Sequence, residues 1–92
     1  MLKTVWVVDD DTMNLRMAEF ILKQQQYDVV KIESGLECLQ LLGKGKPDLI
    51  LLDVQMPIMN GIKTLERIRE KEETKDIPVI FLTASSDTET VI

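Results

Sequence analysis

Apolar residues along the chain switch between two rhythms. Val5 to Val8 (VWVV) is an unbroken β-branched and aromatic run, the pattern of a strand buried on both faces. From about Thr12 to Gln26 the spacing becomes helical: Leu15, Ala18 and Leu22 recur, joined by Met17 and Ile21, with Asn14, Arg16, Glu19 and Lys23 at other positions. DVVKI is a short second strand. Ser34 with Glu37 three residues on has the form of a capping box and opens a second helix through Leu36, Leu39 and Leu42. The glycines and proline of GKGKP end that helix, and LILL forms a third strand. After the loop DVQMPIMNG, Ile62, Leu65 and Ile68 recur every three residues among Lys63, Glu66, Arg67, Arg69 and Glu70, predicting a third helix with a charged outer face. EETKDIP closes it, and VIFL is a fourth strand. Ser86 with Glu89 repeats the capping pattern before TVI, so a fourth helix is expected to start there, with the chain stopping in its first turn.

Strands alternating with helices imply parallel pairing through right-handed crossovers, and strands apolar throughout imply helices on both faces. The expected architecture is an open, doubly wound α/β sheet forming one domain over residues 1–92. Ligands of such sheets bind in the crevice beyond the carboxyl ends of the strands. To that edge the sequence delivers Asp9, Asp10 and Asp11, then Glu33 and Ser34, then Asp53, then Thr83.

Composition narrows the chemistry. With 16 Asp plus Glu against 11 Lys plus Arg, the formal charge is −5, and no global field attracts nucleic acid or an anionic membrane. No apolar run approaches the length of a signal or membrane segment, so a cytoplasmic location is expected. The chain has no histidine, which removes imidazole bases, Ser/His triads and His-ligated zinc. The one cysteine, Cys38, lies in the helical run LECLQLL and is expected in the core, as is Trp6; Met13, Met17, Met56 and Met59 are expected as packing or loop anchors.

Taken singly, the aspartates and Thr83 are ordinary turn and cap residues. Their coincidence at one sheet edge is more specific. With strand order 2-1-3-4, Asp9 and Asp10 would lie beside Asp53, and three like charges would converge. Such a cluster is costly without a cation. Oxygen ligands too few for a full cage suit Mg²⁺, which keeps several waters. An aspartate held against Mg²⁺ can act as a nucleophile toward phosphorus, giving an aspartyl phosphate. Thr83 would then hydrogen-bond a phosphoryl oxygen, with Ala84 leaving space and a free backbone N–H beside it.

VVDDD, LILLDVQMPIMNG and VIFLTAS, in this order over the whole chain, resemble the response-regulator receiver domain of two-component signalling. The resemblance implies a flavodoxin-like fold with Asp53 as phosphoacceptor and Asp10 and Asp53 as Mg²⁺ ligands. The Gln55 carbonyl would complete the ligand set, and Asp9 would act through metal-bound water. Thr83 and Ala84 would contact the phosphoryl group. The implied partner is a sensor histidine kinase or phosphotransfer protein, and the implied role is signalling rather than enzymatic.

A complete receiver continues through a fourth helix, a fifth strand ending in a lysine, and a fifth helix, whereas no lysine follows Lys75 here. The sequence therefore reads as a C-terminally truncated receiver lacking the fifth strand and last helices. Its fourth strand would be a bare apolar edge through which two chains form a homodimer. The main rival is a receiver fragment that folds and self-associates without competent phosphosignalling. A flavin-binding flavodoxin is disfavoured by the carboxylates of DDDTMN, which would repel a flavin phosphate. An Asp-nucleophile phosphatase is disfavoured by Gln55, where a second carboxylate is wanted.

Overall fold

The computed structural model describes residues 2–82 and 90–91. Strands and helices alternate as β1 (Thr4–Val8), α1 (Thr12–Gln24), β2 (Asp28–Ile32), α2 (Gly35–Leu42), β3 (Leu49–Asp53), α3 (Gly61–Glu70), β4 (Val79–Leu82) and β5 (Thr90–Val91). The sheet order is β2-β1-β3-β4-β5, with the first four strands parallel, the flavodoxin-like order 2-1-3-4 expected from the sequence. Val8 pairs with both Ile32 and Leu52, so β1, β2 and β3 end level at one edge.

Alternation along the strands divides the core in two. Trp6, Val8, Ile50, Leu52, Val79 and Phe81 pack with Ile32 beneath α2 and α3, joined there by Cys38 and Ile68. Val5 and Val7 point the other way and meet Leu15 of α1. Cys38 and Trp6 are core residues as expected, and burial, with the nearby Glu37 charge, pushes the Cys38 thiol up to about 12. No helix among the described residues is long and apolar enough to cross a membrane.

The capping signals have the predicted positions. Asp11 accepts the Met13 N–H at the start of α1, and Ser34 accepts the Glu37 N–H at the start of α2. The Glu37 carboxylate reaches back to the N–H of Glu33, one residue before the cap, rather than to that of Ser34. At the other end of α1, Gln26 takes a left-handed φ of 67° while its N–H bonds the Lys23 carbonyl and the Tyr27 N–H bonds the Leu22 carbonyl. This is a Schellman stop with glutamine where glycine is least strained. Gln26→Gly is therefore expected to stabilise the fold by about 0.5–1 kcal/mol, read from the urea midpoint of Trp6 fluorescence.

Several sequence expectations need correction. Met17 and Ile21 do not join the buried stripe of α1: they are exposed, as are Met13 and Phe20, because Leu15 alone is deeply buried and Ala18 and Leu22 half so. Of the loop methionines, Met56 is buried and Met59 partly so. In α3 the inward face is Gly61, Thr64, Leu65 and Ile68, whereas Ile62 is 51% exposed. The helix rolls toward its glycine because only there can it approach the β3 backbone. Thr90 and Val91 form a strand instead of the expected helical turn, pairing antiparallel with Phe81 and Ile80. The β4 edge expected to be bare is thus covered at those two residues. Ser86 and Glu89, on which the helix expectation rested, lie outside the described residues.

Candidate functional site

Three aspartates stand at the carboxyl ends of two apolar strands, and the sheet order brings them together. Asp53 is the last residue of central β3, and Asp9 and Asp10 follow β1, its hydrogen-bonded neighbour. Carboxylate oxygens of Asp9, Asp10 and Asp53 all lie within 4.8 Å of one another. Asp9 and Asp53 are buried, 3% and 8% exposed, while Asp10 faces solvent. They line a cavity of about 420 Å³ with Asp11, Asn14, Gln55, Val7 and Leu82.

Asp9 is held from two sides. One of its oxygens accepts the Asp11 N–H at 2.9 Å, and the other accepts the Asn14 side-chain amide at 3.2 Å. Asn14 is a site residue that sequence reading treats only as a polar position on α1. Its place in the first turn of α1, just after the run of Asp9, Asp10 and Asp11, lets its amide reach back to the Asp9 carboxylate. Asp11 caps α1 and orients Asp9 through its backbone. Glu33 and Ser34, delivered to the same edge, are engaged at the α2 terminus and do not line the cavity.

Burial, then the adjacent Asp9 charge, raises the Asp53 carboxyl to about 6; the Asp10 charge adds to this, and the backbone N–H groups of Gln55 and Val54 oppose it. No lysine or arginine lines the cavity among the described residues to offset the burial and the like charges.

The residues after Asp53 form a closed loop. The Gly61 N–H returns to the Val54 carbonyl at 2.8 Å, and the Asn60 side chain caps α3 by accepting the Lys63 N–H at 2.8 Å. A β-carbon on Gly61 would overlap the Asp53 carbonyl oxygen and stand 2.9 Å from the Val54 Cα, so α3 begins against the backbone of Asp53 itself. Within the loop the Met59 N–H bonds the Pro57 carbonyl at 2.7 Å around Ile58, whose φ is 71°. That is a γ-turn of the rare positive-φ form, costing a β-branched residue of order 1–3 kcal/mol. Thr83 and Ala84, the remaining expected site residues, lie outside the described residues.

The residues present fit a hard divalent cation. The donors are oxygens only, two of the three aspartates are buried, and one carboxylate oxygen from each lies within 4.8 Å of the others, near enough to face a single ion. Asp53 is deep enough to be shielded from bulk water yet opens on the cavity, as a nucleophilic carboxylate requires.

Comparison with known proteins agrees with this geometry. The family model described as the response regulator receiver domain matches residues 5–92. The polar-differentiation response regulator DivK of Brucella ovis is 36% identical over 84 residues, covering 91% of this chain and 68% of its own length. The N-terminal domain of a response regulator receiver protein from Methanoculleus marisnigri superposes with a TM-score of 0.89 at 43% identity, covering 96% of this chain and 72% of that one. The response regulator TrrA of Thermotoga maritima, solved in complex with Mg²⁺-BeF, gives 0.85 at 34% identity over 92% of this chain and 72% of that one. An acidic pocket built from Asp9 and Asp10 after β1 and Asp53 at the end of β3, on a sheet whose first four strands have the order 2-1-3-4, thus occurs in a chain that belongs to the response regulator receiver domain family.

Proposed function

We propose that this chain is a phosphoacceptor, taking a phosphoryl group onto Asp53 from the phosphohistidine of a sensor histidine kinase or phosphotransfer protein in the cytoplasm. The observation that carries the reading is the convergence of the Asp9, Asp10 and Asp53 carboxylates within 4.8 Å, with Asp53 buried at the end of the central strand. In the transfer, a carboxylate oxygen of Asp53 attacks phosphorus, the O–P bond forms as the N–P bond of the donor breaks, and the imidazole keeps the electron pair. The ionised Asp53 carboxylate is the attacking form, and a cation in the pocket would favour it against the burial and the Asp9 charge that oppose ionisation. The Asn14 amide and Asp11 N–H hold Asp9 in place beside it.

Asp10 and Asp53, with the Gln55 carbonyl and Asp9 at its margin, would hold Mg²⁺, and the Mg²⁺-BeF complex of the Thermotoga relative supports that choice of ion. When bound, the ion supplies positive charge that offsets the negative charge gathered at the transferring group. Thr83 and Ala84 are proposed to contact the phosphoryl oxygens. A protein donor is supported by the exposed apolar side chains of Met13, Met17, Phe20 and Ile21 on α1, whose first turn reaches the cavity.

Incubation with a small phosphodonor and Mg²⁺, followed by intact mass measurement, tests the reading. Wild type is expected to gain one phosphoryl group and Asp53→Asn none; an unmodified wild type, or an equally modified variant, excludes Asp53 as acceptor. A second reading, in which the chain folds and self-associates without phosphosignalling, is favoured by the half-covered Leu49, Leu51, Ile80 and Leu82 on the sheet. Under it, light scattering shows a homodimer while the mass stays unchanged.

A further inference from the structure

We propose that Asn14 is a positioning residue that keeps Asp9 from ligating a cation directly, and that it thereby sets the preference of the acidic pocket for Mg²⁺ over a larger ion such as Ca²⁺. The proposal rests on the divalent-cation site of the reading above and not on the phosphoryl transfer. Three carboxylates meet in the pocket, but their surroundings differ. Asp10 is exposed, and its carboxylate makes no hydrogen bond or ion pair among the described residues, so both of its oxygens are open to an ion. Asp9 is the opposite case. It is buried, and each of its oxygens already has a donor, the Asp11 N–H at 2.9 Å on one and the Asn14 amide at 3.2 Å on the other.

Only one of these donors depends on the side chain present. The Asp11 N–H is backbone at the start of α1, and any residue but proline supplies it. The Asn14 amide reaches back five positions to Asp9 from the first turn of α1, which Leu15, buried against Val5 and Val7, holds to the sheet. Among the described residues lining the cavity, only Asn14 and Gln55 carry a side-chain N–H, and that of Gln55 bonds nothing among them. Ligand count separates the two ions. Mg²⁺ keeps several waters and takes roughly one or two carboxylates, whereas Ca²⁺ takes about six to eight oxygens and gains from each added charge. With Asp9 tethered, Asp10 and Asp53 are the two carboxylates left to ligate, a set that suits Mg²⁺. Without the Asn14 amide, one oxygen of a buried carboxylate loses its donor, and turning toward a cation is the way left to compensate its charge. That turn would recruit a third carboxylate and favour Ca²⁺.

Calorimetric titration of metal-free protein with Mg²⁺ and, separately, with Ca²⁺ tests this. Asn14→Leu keeps the branched shape of the side chain and removes its amide. It is expected to bind Ca²⁺ about tenfold more tightly than wild type while its Mg²⁺ affinity stays within about threefold. Asn14→Gln, with the amide on a longer stem, is expected to restore most of the wild-type ratio. Urea unfolding without metal, followed by Trp6 fluorescence, checks that each variant is folded. A ratio of Ca²⁺ to Mg²⁺ affinity no higher in Asn14→Leu than in wild type overturns the proposal, whether both affinities hold, fall together because Asn14 only supports the site, or rise together through charge alone. A wild type that binds neither ion, or binds Ca²⁺ the more tightly, also overturns it. The phosphoacceptor reading fails separately: a wild type that binds Mg²⁺ but gains no phosphoryl group from acetyl phosphate removes that reading, while the calorimetric ratio still decides the role of Asn14.

Discussion

Gly61→Ala is expected to destabilise the protein by roughly 2 to 4 kcal/mol and to disturb the site at the same time. The new methyl group meets backbone, the Asp53 carbonyl oxygen and the Val54 Cα, so no side-chain rotation can make room for it. Alanine is the better helix former by about 1 kcal/mol, but that gain is smaller than the cost of moving α3 off β3. Moving α3 lengthens the Gly61 to Val54 hydrogen bond and shifts the strand end that carries Asp53. Two controls sharpen the comparison. Gly35→Ala meets chiefly the Thr64 side chain and should cost less, and Gly45→Ala, with no atom within 4 Å, should leave stability near wild type. Urea unfolding followed by Trp6 fluorescence ranks the three; a Gly61→Ala variant as stable as Gly45→Ala would contradict the packing described at the start of α3.

The second large effect concerns the charge of the pocket. Because the folded-state value of Asp53 is raised from 3.8 to about 6, the folded protein binds that proton more tightly than the unfolded chain. Stability without metal should therefore fall as pH rises from about 4 to about 6 and level off above that. Asp53→Asn removes the carboxylate and should abolish this window, leaving the variant more stable than wild type at pH 7 by on the order of 1–3 kcal/mol. Added Mg²⁺ should offset most or all of that difference by stabilising wild type more than the variant, by about 2.7 kcal/mol at a hundred times its dissociation constant. Urea midpoints at pH 4.5 and 7, with Mg²⁺ or with EDTA, measure all of these. Parallel pH curves for wild type and Asp53→Asn would show that burial and the Asp9 charge do not raise the Asp53 carboxyl as described.

The elements were legible because short-range rules govern them. Val5 to Val8, Leu49 to Leu52 and Val79 to Leu82 are apolar runs bounded by turn residues, and Ser34 with Glu37 marks a helix start that the structure reproduces. Periodicity was weaker at choosing faces. Ile62 satisfies the helical spacing of α3 as well as Leu65 does, yet it is exposed, because the close approach at Gly61 and the buried Thr64 hydroxyl, bonded to the Asn60 carbonyl, set the roll of the helix. Met17 and Ile21 satisfy the helical spacing too, yet α1 rests on Val5 and Val7 through Leu15, with Ala18 and Leu22 partly buried beside it, and leaves those two exposed. The positive φ of Ile58 has no sequence signal, since isoleucine is among the residues least suited to it.

By itself the sequence determined that Asp9, Asp10 and Asp53 each sit where an apolar strand gives way to a loop, because burial patterns and turn chemistry act over a few residues. That β1 and β3 are neighbours was expected only through the fold that the resemblance implies; the tertiary structure alone decided that Asn14 reaches Asp9 and that the carboxylates come within 4.8 Å. Strand order follows from how whole helices pack across the two faces of the sheet, a property of the entire chain that no local stretch encodes.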